Sequence, residues 1–424
     1  MLFGRFFKDR KGNVAPMLAL SMIPIVGAVS AAVDYSRANA TRTAMQSALD
    51  ATGLMLSKEA QGLGTADLTT KASDYFNALF TDTNAKNVQL TSTLQNPSTG
   101  MYELTLKVSA TVSTSFTRAV GQSDIGIAAS ADVIWGIKKL NLALALDNTG
   151  SMANNNKMTE LKAAAHNLLT TLQNASSTPG DIQVSIVPFA TDVNVGTGNV
   201  NAAWIDWTNW ETSNGTCTVW KHSQSSCVAN GGVWTPASHS TWNGCVYDRD
   251  QNNDVLNTAT VAGSPATMFR AHQASACPTA MMPLSTDWTA LNDKIDAMTP
   301  TGNTNVTIGL ALGWQTLTAT DPFNAPADAT DRDKVIVLLT DGENTQNRWT
   351  STASSIDART EAVCTNAKAA NIKIYTVRVI DGNATLLQGC ATKTSMYYDV
   401  QQADQLNNVF SSIAQNLANL RIAK

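Results

Sequence analysis

The chain has 424 residues, 29 Lys+Arg against 33 Asp+Glu and a formal net charge of -4. That length exceeds one ordinary core and predicts two or three domains. The charge balance excludes an electrostatic case for nucleic acid, because no Lys/Arg stripe with interleaved aromatic residues occurs beyond the extreme N-terminus.

The first thirteen residues, MLFGRFFKDRKGN, carry Arg5, Lys8, Arg10 and Lys11, and an uncharged apolar run follows from Val14 to Val33. A helix of about 20 apolar residues spans a ~30 Å hydrocarbon core, and basic flanks prefer the cytoplasmic side. The run therefore predicts a single membrane span with its N-terminus inside. Pro16 and Pro24 are expected to kink such a helix but are tolerated in membranes. A cleaved signal peptide is the alternative, with Ser30 and Ala32 at the small-residue positions of a cleavage site. Either way, the bulk of the chain lies outside the cytoplasm.

Ala, Leu and Met at helical spacing continue the membrane helix from Asp34 to Ala60, and a second helix is predicted over Asp67 to Phe80. Strand-like runs begin at Met101 and Asp124, the first preceded by a turn cluster of Asn96, Pro97 and Gly100. Residues 34–136 thus form a small α+β module behind the 1–33 anchor.

From Lys138 strands alternate with helices, the pattern of a parallel sheet covered on both faces. The strands are LNLALAL from Leu140, DIQVSIVPFA, KVIVLLT, IKIYTVRVI and SMYYDV. The helices lie near Lys157 to Gln173, Asn305 to Leu317, Ser354 to Ala370 and Gln402 to Leu420. Residues 137–424 read as one α/β, Rossmann-like domain of about six mainly parallel strands.

An insertion from about Asn199 to Ala280 interrupts that domain. It holds Trp204, Trp207, Trp210, Trp220, Trp234 and Trp242, with Cys217, Cys227, Cys245 and Cys277. A loop this long is functional or independently stabilised. Its tryptophans either fill a small core or form a recognition surface. With Cys364 and Cys390 the cysteines number six, which in an oxidising compartment predicts disulfides. The expected pairing joins Cys364 to Cys390 and the other four among themselves; the rival is a zinc site with His222, His239 or His272.

Three segments converge at the carboxyl ends of the sheet strands, where open α/β sheets bind ligands. LNLALALDNTGSM ends a buried strand on Asp147 and follows it with Thr149 and Ser151. TPTGNTNVTIGLALG places Thr304 just before a helix, with Gly302 in the turn. VIVLLTDGENT ends a second buried strand on Asp341, followed by Gly342. Every candidate ligand is an oxygen, which describes a hard-cation site: Mg2+, or Mn2+ or Ca2+ in its place. Little protein charge near the ion leaves it electrophilic, so an acidic side chain of a partner protein could complete its coordination.

These residues carry a resemblance. Asp147-Asn148-Thr149-Gly150-Ser151 resembles the Asp-x-Ser-x-Ser metal-ion-dependent adhesion motif (MIDAS) of von Willebrand factor type A domains, with Thr149 replacing the first serine. Thr304 and Asp341 match that motif's distant threonine and aspartate. The resemblance covers about Lys138 to Lys424 without the insertion, and implies a metal-dependent adhesion role. The N-terminal stretch RKGNVAPMLALSMIPIVGAVSAAVDYSRA, followed by MQSALDATGL, resembles the membrane segment of TadE/TadG-type tight-adherence (Flp) pilus assembly proteins. Gly12, Asp34, Arg37 and the Ala-rich helix are shared. Where pseudopilins of that system carry a glutamate shortly after the glycine, this chain has Met17. Together the two resemblances imply a TadG-like protein of the bacterial inner membrane, single-pass, with the bulk of the chain periplasmic and other Tad/Flp assembly proteins as partners.

An enzymatic reading competes. LALDNTGS and LLTDGENT are also similar to haloacid-dehalogenase phosphohydrolases, but those place a second Asp two residues after the nucleophile, where this chain has Thr149. Without that proton donor a contribution of ~10²–10⁴-fold is lost. A Ser/His/Asp hydrolase lacks its Gly-x-Ser-x-Gly elbow, and His166 falls in a helical pattern. A third reading is a scaffold domain in which Asp147 and Asp341 bond backbone amides with no cation. The sequence therefore predicts a non-enzymatic, membrane-anchored adhesion or pilus-assembly protein.

Overall fold

The structure is a computed structural model describing residues 14–59, 65–98, 101–115, 117–136, 139–176, 178–220, 222–327 and 331–419. The basic N-terminal residues and Gly12 lie outside the described residues. The chain divides into two compact units, Met1–Gly136 and Ile137–Ala423.

In the first unit, helix α1 (Val14–Glu59) is continuous through Pro24. Its apolar side chains from Met17 to Val33 are exposed, whereas Asp34, Ala38, Thr41, Met45, Leu49, Thr52 and Leu56 are buried. The buried set recurs every three or four residues, so one helical stripe packs on the unit's core while the earlier apolar residues stay exposed among the described residues. The helix is long and apolar enough to cross a membrane. Helix α2 (Thr65–Leu79) and strands β1 (Ala85–Ser98), β2 (Met101–Ser113) and β3 (Asp124–Gly136) complete the unit as an antiparallel sheet in the order β1-β2-β3. In β2 the buried Leu104, Leu106, Val108, Ala110 and Val112 alternate with more exposed polar residues, the mark of a sheet packed on one face. Arg42 and Gln46 of α1 donate to the Ala128 and Ser130 carbonyls, covering the free edge of β3. Asp34 accepts from the Ser115 and Thr117 amides and the Thr117 hydroxyl, and Arg37 donates to Ser115 Oγ, so both residues grip one loop.

Strand β1 does not appear in the sequence expectation. Its Lys-Asn-Val-Gln-Leu-Thr-Ser-Thr pattern is largely polar because it is an edge strand whose side chains are mostly exposed. The Asn96-Pro97 pair read as a turn is the end of that strand. A proline is tolerated at such an edge because its missing N–H breaks no ladder.

The second unit is built on β4 (Lys139–Asp147), β5 (Ile182–Phe189), β13 (Arg332–Thr340), β14 (Lys373–Val379) and β15 (Tyr397–Val400). They run parallel in the order β15-β14-β13-β4-β5. The Leu/Ala alternation of β4 separates two cores. Leu140, Leu142, Leu144 and Leu146 pack with α3 (Lys157–Ala175), α6 (Trp288–Asp296) and α10 (Leu406–Asn419). Ala143 and Ala145 face α7 (Val306–Thr316), α8 (Ala353–Ala369) and α9 (Ala384–Cys390). The small residues let α7 approach closely: a methyl group added at Gly313 would stand 3.7 Å from the Ala145 Cβ.

The insertion does not form a separate module beside this sheet. Strands β6 (Val193–Asn194), β10 (Cys245–Val246), β11 (Phe269–His272) and β7 (Ile205–Asp206) extend the sheet beyond β5, and β12 (Met282–Ser285) pairs antiparallel with β5, making ten strands. The short helices α4 (Thr208–Ser213) and α5 (Gln224–Ala229) flank a small hairpin, β8 (Gly215–Cys217) with β9 (Trp234–Pro236). The two-residue strands, β12 and α6 are too short for a periodicity argument, which is why the sequence does not announce them.

Disulfides join Cys217 to Cys227, Cys245 to Cys277 and Cys364 to Cys390. This is the expected pairing, and it removes the cysteines from any zinc site. Each bridge restricts the unfolded chain by about 3–4 kcal/mol. Trp210 and Trp242 are buried, and Trp207 packs edge-on against both while stacking on His239. Most of the tryptophans thus hold the insertion together. Trp220, 87% exposed, stands apart beside the Cys217–Cys227 bridge.

Asp248 ties the insertion to the rim of the sheet. It is 3% exposed and accepts from Asn305 Nδ2 through both oxygens, at 3.1 and 2.9 Å, and from the Arg348 amide. Burial pushes its carboxyl up to about 7, and Asn305 Oδ1 has no hydrogen-bond partner among the described residues.

Two outcomes follow from these contacts. Ala145→Leu is expected to overpack the α7 contact and cost about 1–3 kcal/mol in urea unfolding of the second unit. For Asp248, a folded pKa of about 7 above the ordinary 3.8 means that the folded state holds the proton longer than the unfolded chain. Stability should therefore fall as pH rises from about 4 to about 7. Asp248→Asn, which removes the titrating group, should flatten that slope in melts recorded across the same range.

Candidate metal centre

Asp147 lies at the carboxyl end of β4 and Asp341 immediately after β13, and the two strands are parallel neighbours with Leu146 paired to Leu339. Their carboxylates are therefore forced together, and both are buried, at 0% and 1% exposure. One Asp147 oxygen accepts from the Thr149 amide at 2.8 Å and the other from the Thr340 hydroxyl at 2.6 Å. Burial and the Asp341 charge push the Asp147 carboxyl up to about 6. Two close carboxylates in a dry setting resist joint ionisation, and a cation relieves them.

After Asp147 a short 3-10 turn, Gly150–Ala153, carries Ser151 back toward Asp341. Thr149 Oγ1 and Ser151 Oγ are 3.0 Å apart, and Ser151 Oγ donates to Asp341 Oδ1 at 2.6 Å. Asn155 and Asn156 then take left-handed conformations, which asparagine tolerates, to turn the chain into α3.

The Thr304 loop is fixed to both neighbouring loops. Thr301 donates its amide to the Asn148 carbonyl, and Gly150 donates to the Gly302 carbonyl. Gly302 has a φ of +76°, and a Cβ there would press on Ala276 and Ala190, so this turn requires glycine. On the other side the Thr345 amide donates to the Thr304 carbonyl, and the Thr304 amide donates to the Thr345 hydroxyl. Asn344 Oδ1 accepts from the Val306 amide at the start of α7. A Cβ built on Gly342 would lie 3.4 Å from Thr304 Oγ1 and 3.8 Å from Ser151 Oγ. Space bounded by two hydroxyls is thus kept open beside the Asp341 carboxylate.

The structure accordingly brings Asp147, Thr149, Ser151 and Asp341 into one hydrogen-bonded chain and sets Thr304 across Gly342 from Ser151. The donor set is two carboxylates and three hydroxyls, the chemistry of a hard divalent ion. Among the described residues no cluster of three or more His, Cys, Asp or Glu side chains forms a different metal cage. His166, weighed as a catalytic base, instead bonds Asn292 and Asp296 on α6.

Sequence reasoning missed two participants. Lys157, the first residue of α3, is 3% exposed and places its ammonium 2.8 Å from Asp341 Oδ2 and 3.8 Å from Asp381 Oδ2. Thr340 holds Asp147 from the neighbouring strand. The signal for Lys157 was its position: a cation at a helix N-terminus opposes the helix dipole and calls for an acidic partner.

Two family models match the chain. The Flp pilus-assembly TadE/G-like model matches residues 12–55, and the von Willebrand factor type A domain model matches residues 249–412. The second match includes Thr304 and Asp341; the Asp147 motif precedes it, on the central strand of the same sheet. No curated protein matches the chain. Among solved structures, the von Willebrand domain of the type V pilus tip protein Mfa5 from Porphyromonas gingivalis is 12% identical with a TM-score of 0.40, covering 68% of this chain and 97% of that one. The pilus adhesin SpaC from Lactobacillus rhamnosus GG is 14% identical with a TM-score of 0.39, over 80% of this chain. The chain spans about a third of the length of SpaC, at 35%. Proximal thread matrix protein 1 from the mussel byssus, in a form with a zinc-occupied MIDAS motif, is 11% identical with a TM-score of 0.37, covering 67% of this chain and 48% of that one. These likenesses are distant, and the assignment rests on the family models and the sheet topology. Residues 12–55 thus carry a TadE/G-like match and residues 249–412 a von Willebrand factor type A match, the two parts that the TadG-like resemblance implies.

Proposed function

We propose that this protein is a membrane-anchored, extracytoplasmic component of Flp/Tad pilus assembly and surface adhesion that binds partners through a divalent-metal site, without catalysis. In this reading residues 1–33 anchor the chain in the bacterial inner membrane with the N-terminus cytoplasmic. Residues 34–136 form the Tad-type module, which meets other assembly proteins. Residues 137–424 form the periplasmic adhesion domain, with the insertion at about 199–280 lengthening its sheet. The exposed apolar first part of α1 supports the anchor.

One observation carries the metal assignment: hydroxyls and carboxylates from three separate loops converge beside Gly342, on the rim where α/β sheets hold ligands. Asp147, Thr149, Ser151, Thr304 and Asp341 would hold Mg2+ or a similar ion. A bound divalent ion supplies a Lewis-acidic position for a carboxylate oxygen of a partner protein. The chain's own contribution is to fix the donors: Thr340 and the Thr149 amide orient Asp147, Ser151 orients Asp341, and the Thr304 loop is tied on both sides.

A scaffold function without metal is the second reading, and the Lys157 ammonium favours it by already neutralising Asp341. The two are separated by melting the full-length chain in detergent micelles, in EDTA and in millimolar Mg2+ or Mn2+, beside Asp147→Ala. A ligand at ~100 times its Kd stabilises by about 2.7 kcal/mol, which a melt resolves. The metal reading expects a rise that Asp147→Ala loses; the scaffold reading expects no rise in either protein. For the cellular role, deleting the gene should reduce pilus production and surface attachment. Unchanged attachment would overturn the pilus assignment.

A further inference from the structure

We propose that Lys157 makes the metal site selective for acidic partners, by cancelling one of its two buried carboxylate charges so that a bound divalent ion keeps a surplus positive charge. This inference rests on the metal reading of the same site.

Asp147 and Asp341 contribute two negative charges, buried at 0% and 1% exposure. With a divalent ion alone they form a neutral set, which has little electrostatic need of another anion. The Lys157 ammonium changes that count. It is itself 3% exposed and bonds Asp341 Oδ2 at 2.8 Å, while Asp341 Oδ1 faces the Ser151 hydroxyl. One carboxylate thus serves both a fixed internal cation and the ligand side of the site. The set of Asp147, Asp341, Lys157 and a divalent ion carries one net positive charge, which a partner's carboxylate neutralises.

Two further features enlarge the positive potential. Lys157 opens the 19-residue helix α3, so the helix's positive end adds to the ammonium. The remaining acid near the ammonium, Asp381, lies 3.8 Å away with its side chain 71% exposed, and water screens most of its charge. A buried lysine needs no such location to hold α3 on the sheet, because the Leu and Met residues of α3 already pack there. The same ammonium weakens metal binding and strengthens anion binding, and a purely structural residue has no reason to move the two in opposite directions.

The test uses the full-length chain in detergent at pH 7.5. Mn2+ binding is followed by the electron paramagnetic resonance of the free ion. Acetate binding to the Mn2+-loaded protein is followed by water-proton relaxation. The wild type should bind Mn2+ and then acetate. Lys157→Met should bind Mn2+ more tightly and acetate more weakly, each by about tenfold or more, and Lys157→Arg should restore both toward wild type. Equal values in Lys157→Met, or a loss of both affinities together, would overturn the proposal while leaving the metal site standing. A wild type that binds no Mn2+ would overturn the metal reading and this inference with it. If Lys157→Met does not fold, Lys157→Gln, which keeps a donor for Asp341 without the charge, decides by the same two affinities: tighter Mn2+ and weaker acetate are expected, and equal values or a loss of both overturn the proposal.

Discussion

Two carboxylates held side by side in a dry site constrain the rest of the second unit. Asp147 and Asp341 cannot separate, because β4 and β13 are hydrogen-bonded neighbours in fixed register, β4 ending at Asp147 and Asp341 directly following β13. The surroundings are arranged to make that arrangement tolerable: a hydroxyl from Thr340, an amide from Thr149, the Ser151 hydroxyl and a buried ammonium. A site of this kind cannot be rebuilt by one loop, since its compensating groups come from three segments: the Thr149–Ser151 turn, the start of α3 and the end of β13.

The sheet that imposes this constraint owes its position to a simple alternation. Leucines on one side of β4 fill a core under α3 and α10; alanines on the other make room for α7, which is buried around nearly its whole circumference. Because α7 lies close against the sheet, its first turn brings Thr304 and Asn305 to the strand ends. Asn305 then meets Asp248 of the insertion. Packing in the core thereby sets both the Thr304 loop and the anchorage of an insertion far from it in sequence.

The parts of this fold that the sequence announces are those with long, repeated patterns. The apolar strands leading to Asp147 and Asp341, the Thr304 turn and the N-terminal apolar helix are all visible, because burial of a strand on two faces, or a long uncharged apolar run, leaves an unbroken signal. The exposed edge strand β1 is not visible, since water on most of its side chains removes the need for alternation. Nor are β6, β7 and β10, whose two residues apiece make the insertion part of the main sheet. Lys157 was legible as the start of a helix but not as a partner of Asp341, which stands 184 positions away. Long-range charge pairs of this kind leave no local pattern, only a residue that looks misplaced where it stands.

Helix α1 also has a mechanical consequence. Its bare apolar stretch and its packed stretch belong to one uninterrupted helix, with no loop between them. Tension on the N-terminal part therefore travels along the backbone into the packed stretch. There it is met by Asp34 and Arg37 on one loop and by Arg42 and Gln46 on the carbonyls of β3. These contacts follow one another along the helix, so a pull on its N-terminal part loads several of them at once.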